Sequence, residues 1–282
     1  MASTRSIETG KSTRSSPRPR ARKPSGGLRR SAVRRERILF GTLGAVVVLA
    51  AWEICADLGV VNPTFSSKPS EVAHALYEYF QGDGLAALKT SAIEFGLGFG
   101  LALVVGLLAG VVMGRWRRVE YTLDPLVNFS NSTPRIALVP LFVIWFGIGM
   151  TSKVAIIFLS AVLPILMNTV SGVQAADANL LRVARSFCAG ELQTFRTVIV
   201  PGAVPYVVTG IRLGIGHGLV GMIVAELVSS TAGLGYTIEI AGNNFQTPDM
   251  FAAVFVVAMI GVILTNALKG LERYLDRWRP KA

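Results

Sequence analysis

Long apolar stretches separated by short polar ones dominate this chain. They cover about residues 38–58, 91–113, 123–146, 154–170, 204–227 and 251–268. Most approach the roughly 20 residues that an α-helix needs to cross the hydrocarbon core of a bilayer. The third is the least regular: Asn128, Asn131, Ser132, Pro134 and Arg135 precede its strongly apolar part, 136–146. It reads either as a span or as a short polar helix followed by a broken span, which a bilayer tolerates only inside a bundle. The pattern predicts an all-α integral membrane protein of six spans, with five as the competing count. Between the fourth and fifth runs lies 182–201 (RVARSFCAGELQTFRTVIVP), too charged to cross. Leu181, Ala184, Cys188, Leu192, Phe195 and Ile199 recur there every three or four positions, predicting a helix with one apolar stripe. A solvated loop needs no stripe, so the segment reads as a surface on which a soluble partner docks.

Composition agrees with a membrane. The 282 residues are 51% hydrophobic and 16% charged, with a mean hydropathy of +0.52. The net charge of +11 is concentrated at one end: residues 1–37 hold 12 basic and two acidic side chains, leaving +1 for the remainder. With Ser, Pro and Gly between the charges, that tail is expected to be disordered and cytoplasmic, facing anionic lipid rather than nucleic acid. The transmembrane part is then 38–282.

The other basic residues alternate between loops. Arg115, Arg117 and Arg118 follow the second run, Arg182, Arg185 and Arg196 lie between the fourth and fifth, and Lys269, Arg273, Arg277, Arg279 and Lys281 follow the sixth. The intervening loops carry only Lys153, or none in 228–250. By the positive-inside rule both termini and 182–201 are cytoplasmic, which requires an even number of spans. The longest outer loop, 59–89, contains a possible short interfacial helix at 71–80 and is too small for a folded domain, so capture of a scarce solute would need a separate protein.

Glycines 96, 98, 100, 106, 110 and 114, then 210, 214, 216, 218 and 221, suit two spans for close helix approach. Glu53, Glu94 and Glu226 fall within apolar runs, where a charge is costly unless paired or hydrated. Arg135, Arg212 and Glu226 are the candidate pathway or gating residues, and two arginines facing a path would favour an anion. No nucleotide-binding glycine motif is present, and His74 and His217 stand apart with no metal-ligand cluster. Cys55 and Cys188 have neither metal-site nor disulfide spacing. No catalytic, cofactor-binding or metal residue is assigned.

Residues 182–201 resemble the cytoplasmic loop of inner-membrane permease subunits of bacterial ABC importers, closest to the nitrate, sulfonate and taurine type. That loop has the approximate form E-A-A-x-x-x-G, and in this branch E-V-A-R-S-x-G-A with a later V-x-L-P. Val183, Ala184, Arg185, Ser186, Ala189, Phe195, Val198 and Pro201 match it. Pro205-Tyr206, Gly210 to Gly214, Ala225-Glu226-Leu227, Gly233-Leu234-Gly235, Pro134, Ala137 to Leu141, Trp145 to Gly149 and Lys153 also resemble the family, over roughly 65–279. Two positions depart from it: Arg182 replaces the leading glutamate and Cys188 the loop glycine. A side chain at 188 disfavours a left-handed turn, so either Gly190 moves the turn or Cys188 adopts helical geometry.

The resemblance implies a coupling helix between the fourth and fifth spans, around 188–195, seated in a groove of an ATPase subunit. Arg182, Val183, Ala184, Arg185, Ser186, Cys188, Ala189, Gly190, Leu192, Phe195 and Pro201 would form the coupling surface, with Leu192 and Phe195 as anchors. It further implies a second permease copy, an ATPase dimer that uses ATP and Mg, and a periplasmic or lipoprotein solute-binding protein in a bacterial inner membrane. The solutes implied are nitrate, an alkanesulfonate or taurine, with aromatic sulfonates and pyrimidine-type precursors beside them. An ion-coupled secondary transporter or a non-transporting scaffold are the competing readings. The former expects internal repeats and carboxylates near mid-membrane, where Glu53 is the one candidate.

Overall fold

The computed structural model describes residues 26–60 and 65–275, all of whose regular elements are helical. The chain divides into two units, Met1–Ala51 and Trp52–Ala282. Helix α1 (Gly26–Asp57) begins within the basic segment, so position 37 lies inside it; residues 1–25 of the expected tail fall outside the described residues, as do Arg277, Arg279 and Lys281. Its apolar stretch Leu39–Asp57 is long enough to cross a membrane and presents Phe40, Val46 and Val48 on its exterior.

In the second unit α2 (Pro69–Gln81) covers the helix expected at 71–80. Glu53 supplies its N-terminal cap: Ser70 N and Ser70 Oγ donate to the Glu53 carboxylate at 3.1 and 2.6 Å. A carboxylate at a helix N-terminus satisfies otherwise unpaired N–H groups. Glu53 is therefore a structural cap near the end of α1. Lys68, just before α2, is in tight contact with Asp57. The hydrogen bond to Asp57, and then its charge, hold the Lys68 ammonium above its ordinary pKa.

Four further long apolar helices or helical stretches follow: α3 (Gly84–Arg115), α6 (Met150–Gln174), the stretch Glu191–Ser229 that ends in α9 (Val200–Ser229), and α11 (Thr247–Leu275). Together with the stretch in α1, five among the described residues are long and apolar enough to cross. The third apolar run behaves differently. It forms α4 (Arg117–Ser132), a 3₁₀ turn (Arg135–Leu138) and α5 (Val139–Phe146). Pro134 forces Thr133 into extended backbone and ends α4, while Gly147 at φ 78° ends α5. Eight residues rise only about 12 Å, too little to span alone.

Helices α3 and α9 both pack against α6 and touch each other, and small residues permit the approach. Gly98, Ala102, Gly106, Gly110 and Gly114 recur every fourth position on α3. A Cβ at Gly98, Gly106, Gly110 or Gly114 would lie 2.6–2.9 Å from side-chain carbons of Ile157, Ile165, Thr169 or Val173 of α6. Gly210, Gly214 and Gly221 of α9 meet Asn168, Ile165 and Ser160 of the same helix. Gly96 and Gly100, off that stripe, face open space. Ile157 and Ile165 are fully buried in this three-helix centre. Helix α10 (Leu234–Asn243) packs on α9 and α11 and buries Leu234 and Ala241.

Candidate functional site

Residues 178–201 form two helices separated by a turn. Helix α7 (Ala178–Ser186) starts with Asp177, whose carboxylate accepts from Asn179 N at 2.7 Å. It carries Arg182, Val183, Ala184, Arg185 and Ser186. Phe187, Cys188, Ala189 and Gly190 make the turn, and α8 (Glu191–Thr194) carries Leu192. The single expected helix over the apolar stripe is thus broken at its middle. Leu181, Ala184, Phe195 and Ile199 are half-buried, whereas Cys188 and Leu192 are exposed.

The break is a Schellman turn with an unusual residue in it. Ala189 N donates to Ala184 O at 3.0 Å and Cys188 N to Arg185 O at 2.9 Å, the paired bonds that close such a helix end. The position between them requires positive φ, and Cys188 takes it at 52°. Gly190 does not move the turn: its φ is −63°. Neither expected escape is used, and Cys188 itself adopts the left-handed geometry, which costs an L-residue about 1–2 kcal/mol. Phe187, which periodicity missed because it falls one position off the stripe, is 82% exposed, and Leu192 is 62% exposed.

Helix α8 continues into α9 without a break through a π-turn (Phe195–Ile199). Pro201 in the first turn of α9 lacks an N–H and its ring crowds the carbonyl four residues earlier; the wider turn relieves both. The join between the surface segment and the span is therefore continuous helix. Arg115, at the end of α3, also reaches Glu191 at 2.7 Å.

A cavity of about 680 Å³ lies between the α4–α5 stretch, α6 and α9. Arg135, Arg212 and His217 line it with Asn131, Thr133, Ser160 and apolar side chains, and among the described residues no carboxylate lines it. Leu213, Gly216, His217 and Val220 fall on one exposed face of α9. The two arginines are held differently. Arg212 pairs with Glu272 of α11 at 2.8 Å. Arg135 donates to Asn131 Oδ1 at 2.9 Å and to Ser160 O at 3.4 Å, both neutral acceptors. Among the described residues no carboxylate pairs with Arg135, so its charge remains available.

Glu226 lies elsewhere. It is fully buried near the C-terminal end of α9, and its carboxylate accepts from Ser91 Oγ and Gly235 N, each at 2.6 Å. Leu234 N donates in turn to Ser91 Oγ at 2.9 Å. The carboxylate thus sits at the N-terminus of α10, where the Gly235 N–H directly, the Leu234 N–H through Ser91, and the helix dipole favour negative charge. Gly233 and Gly235 leave room: a Cβ at either would stand 2.6 Å from a Glu226 carbon or oxygen. Lys153, read from sequence as a loop residue, is buried in the first turn of α6. It makes a tight ion pair with Glu94 and donates to Ser230 Oγ at 3.1 Å.

The match to known proteins runs through these features. The family described as binding-protein-dependent transport system inner membrane component matches residues 102–280. The chain belongs to this family. It is 35% identical over 240 residues to a putative aliphatic sulfonates transport permease protein SsuC of Bacillus subtilis, covering 85% of this chain and 87% of that protein. It is 34% identical over 251 residues to the taurine transport system permease protein TauC of Escherichia coli, covering 87% and 90%. Among solved structures, the inward-facing MetNI methionine ABC transporter shares the fold, with a TM-score of 0.60 at 18% identity over 68% of this chain and 95% of that chain. The protein is thus a multi-pass permease component of an ABC importer, and ATP hydrolysis belongs to a separate subunit. The permease, ATPase and binding-protein architecture follows from that relationship.

Proposed function

We propose that two copies of this permease form the pathway of an importer for a small sulfonate, and that the cavity lined by Arg135 and Arg212 is its inner wall. The observation that carries the anion reading is Arg135, a guanidinium on a cavity without carboxylates, held only by neutral acceptors. A guanidinium fork matches the paired oxygens of a sulfonate, carboxylate or nitrate. Relatives named for aliphatic sulfonates and taurine favour the sulfonate within that set.

In this reading the broken α4–α5 stretch is a sixth crossing beside the five long helical stretches, which makes the number even, as the distribution of basic residues requires. Both termini and the α7–α8 turn then face the cytoplasm of a bacterial inner membrane. Phe187 and Leu192 seat in a groove of the ATPase, and the continuous helix from α8 into α9 transmits its closure to the cavity wall. The surrounding contacts come from Arg182, Val183, Ala184, Arg185, Ser186, Cys188, Ala189, Gly190 and Phe195, with Pro201 setting the π-turn. The ATPase dimer binds ATP and Mg, and a separate binding protein delivers the solute.

The test is ATP hydrolysis by proteoliposomes holding this chain, its genomic-neighbour ATPase and the neighbouring binding protein, with taurine, an alkanesulfonate or nitrate. Stimulation by loaded binding protein, lost in Phe187→Glu/Leu192→Glu with the fold intact, is the expected result. Stimulation unchanged in that variant would reject the coupling assignment, and stimulation by an uncharged solute alone would reject the anion.

A further inference from the structure

His217 lines the cavity without taking part in holding either arginine. It stands on the exposed face of α9 beside Gly216, where an added Cβ would meet nothing within 4 Å, so the ring borders open space. Its Nδ1 lies 2.9 Å from Leu213 O, four residues earlier on the same helix. A carbonyl oxygen only accepts, so Nδ1 carries a proton and donates it. That bond selects the tautomer and holds the ring against its own helix. Nε2 is then the lone-pair nitrogen of the neutral ring, and among the described residues it has no partner.

The other side-chain acceptors on the cavity wall are engaged or covered. Asn131 Oδ1 takes a hydrogen bond from Arg135, Thr133 Oγ1 turns back to Phe129 O at 2.9 Å, and Ser160 is buried. The two guanidiniums only donate. A solute that brings a donor as well as an anionic group therefore finds one exposed side-chain acceptor with no partner of its own, His217 Nε2. Its distance from Arg135 suits a small molecule. Arg135 donates to Ser160 O, and Ser160 packs against Gly221, four residues beyond His217. The guanidinium thus lies about one helical turn along α9 from the imidazole. The two ends of a two-carbon sulfonate, each making a hydrogen bond, can bridge such a separation.

We infer that His217 is a specificity-determining residue of the permease: Nε2 accepts a hydrogen bond from an amino or hydroxyl group on a sulfonate whose anionic end is held by Arg135. This role rests on the cavity being the pathway wall proposed above, and it narrows the solutes that the wall favours. Sulfonates bearing such a donor are preferred over unsubstituted alkanesulfonates.

The test is solute binding to the nucleotide-free permease–ATPase complex without binding protein, so that selectivity comes from the permease. Saturation-transfer NMR titrations compare ethanesulfonate, 2-hydroxyethanesulfonate and taurine (2-aminoethanesulfonate). Wild type should hold the last two about 2–10-fold more tightly, the range of one added hydrogen bond. His217→Phe, a ring without nitrogens, should erase that difference, and His217→Gln, whose amide oxygen accepts, should keep part of it. Equal affinities in wild type would overturn the role of His217 whether or not the variants fold, as would a difference that survives His217→Phe. Tightest binding of ethanesulfonate would overturn it too. Arg135→Ala separates this role from the anion site on which it rests. Ethanesulfonate that fails to bind wild type, or binds Arg135→Ala equally well, would remove the anion site and His217 with it. Binding weakened in Arg135→Ala, with equal wild-type affinities for all three solutes, would strike His217 alone.

Discussion

Gly110→Ala is the smallest substitution that challenges the three-helix centre. A Cβ there would stand 2.6 Å from Thr169 Cβ and 2.9 Å from Leu166 O. Carbon atoms pack at about 3.5–4.0 Å, so α3 and α6 must separate by about 1 Å locally. Neither obstacle can swing away: Cβ is fixed to its backbone, and Leu166 O belongs to the helix. The Thr169 hydroxyl is also committed, donating to Ile165 O at 2.7 Å. Overpacking of this kind costs about 1–3 kcal/mol. Gly100→Ala on the same helix is the control, since its new methyl would meet nothing within 4 Å. Thermal unfolding of the detergent-solubilised permease, followed by size-exclusion chromatography after heating, compares them directly. Gly110→Ala should melt several degrees below wild type and Gly100→Ala at or above it. Equal melting of the two variants would refute the claim that absence of a Cβ sets the α3–α6 distance.

Three further outcomes are expected. Cys188→Gly should slow tryptic cleavage at Arg185 and stabilise the turn by about 1 kcal/mol, because glycine takes positive φ without strain; unchanged cleavage would mean that the turn is not strained. Arg135→Ala should raise the sulfonate concentration needed for half-maximal uptake by about 10–100-fold, the value of a charge-assisted hydrogen bond of about 1.5–3 kcal/mol, with little change in melting temperature. Arg212→Ala should instead lower stability modestly, by about 1 kcal/mol or less, and Arg212→Ala/Glu272→Ala should recover part of the loss, since the pair is partly exposed. Transport titrations and melting curves on the same preparations separate the last two.

Apolar run length predicted five of the long helices or helical stretches, because the condition for crossing a bilayer is local: enough consecutive apolar residues with backbone groups paired inside one helix. Arginine positions predict an orientation by a rule that is equally local, as each loop is sorted by its own charge. The glycine pattern was legible as a stripe, although spacing alone did not separate Gly106 and Gly110, packed on α6, from Gly96 and Gly100, which face open space. Residues 182–201 stood out by their stripe and motif, but the break within them did not. Whether residues 182–201 form one helix depends on whether position 188 turns left-handed, and a cysteine there gives no such signal. The third run was seen as irregular, and Pro134, Pro140 and Gly147 decided its division.

Sequence by itself settled that this is a multi-pass helical protein, which five runs are long and apolar enough to cross a membrane, and which segment carries the family motif. Those properties depend on composition and on spacings within a few turns. Tertiary structure alone decided that Arg135 and Arg212 share a cavity while Glu226 does not, and that Lys153 is buried against Glu94. Ser91 and Glu226 are 135 positions apart, and Leu234 N reaches Ser91 across 143. No periodicity links such distances. The pairing arises because glycines bring α3, α6 and α9 close enough for each buried polar group to find its partner on another helix rather than in water.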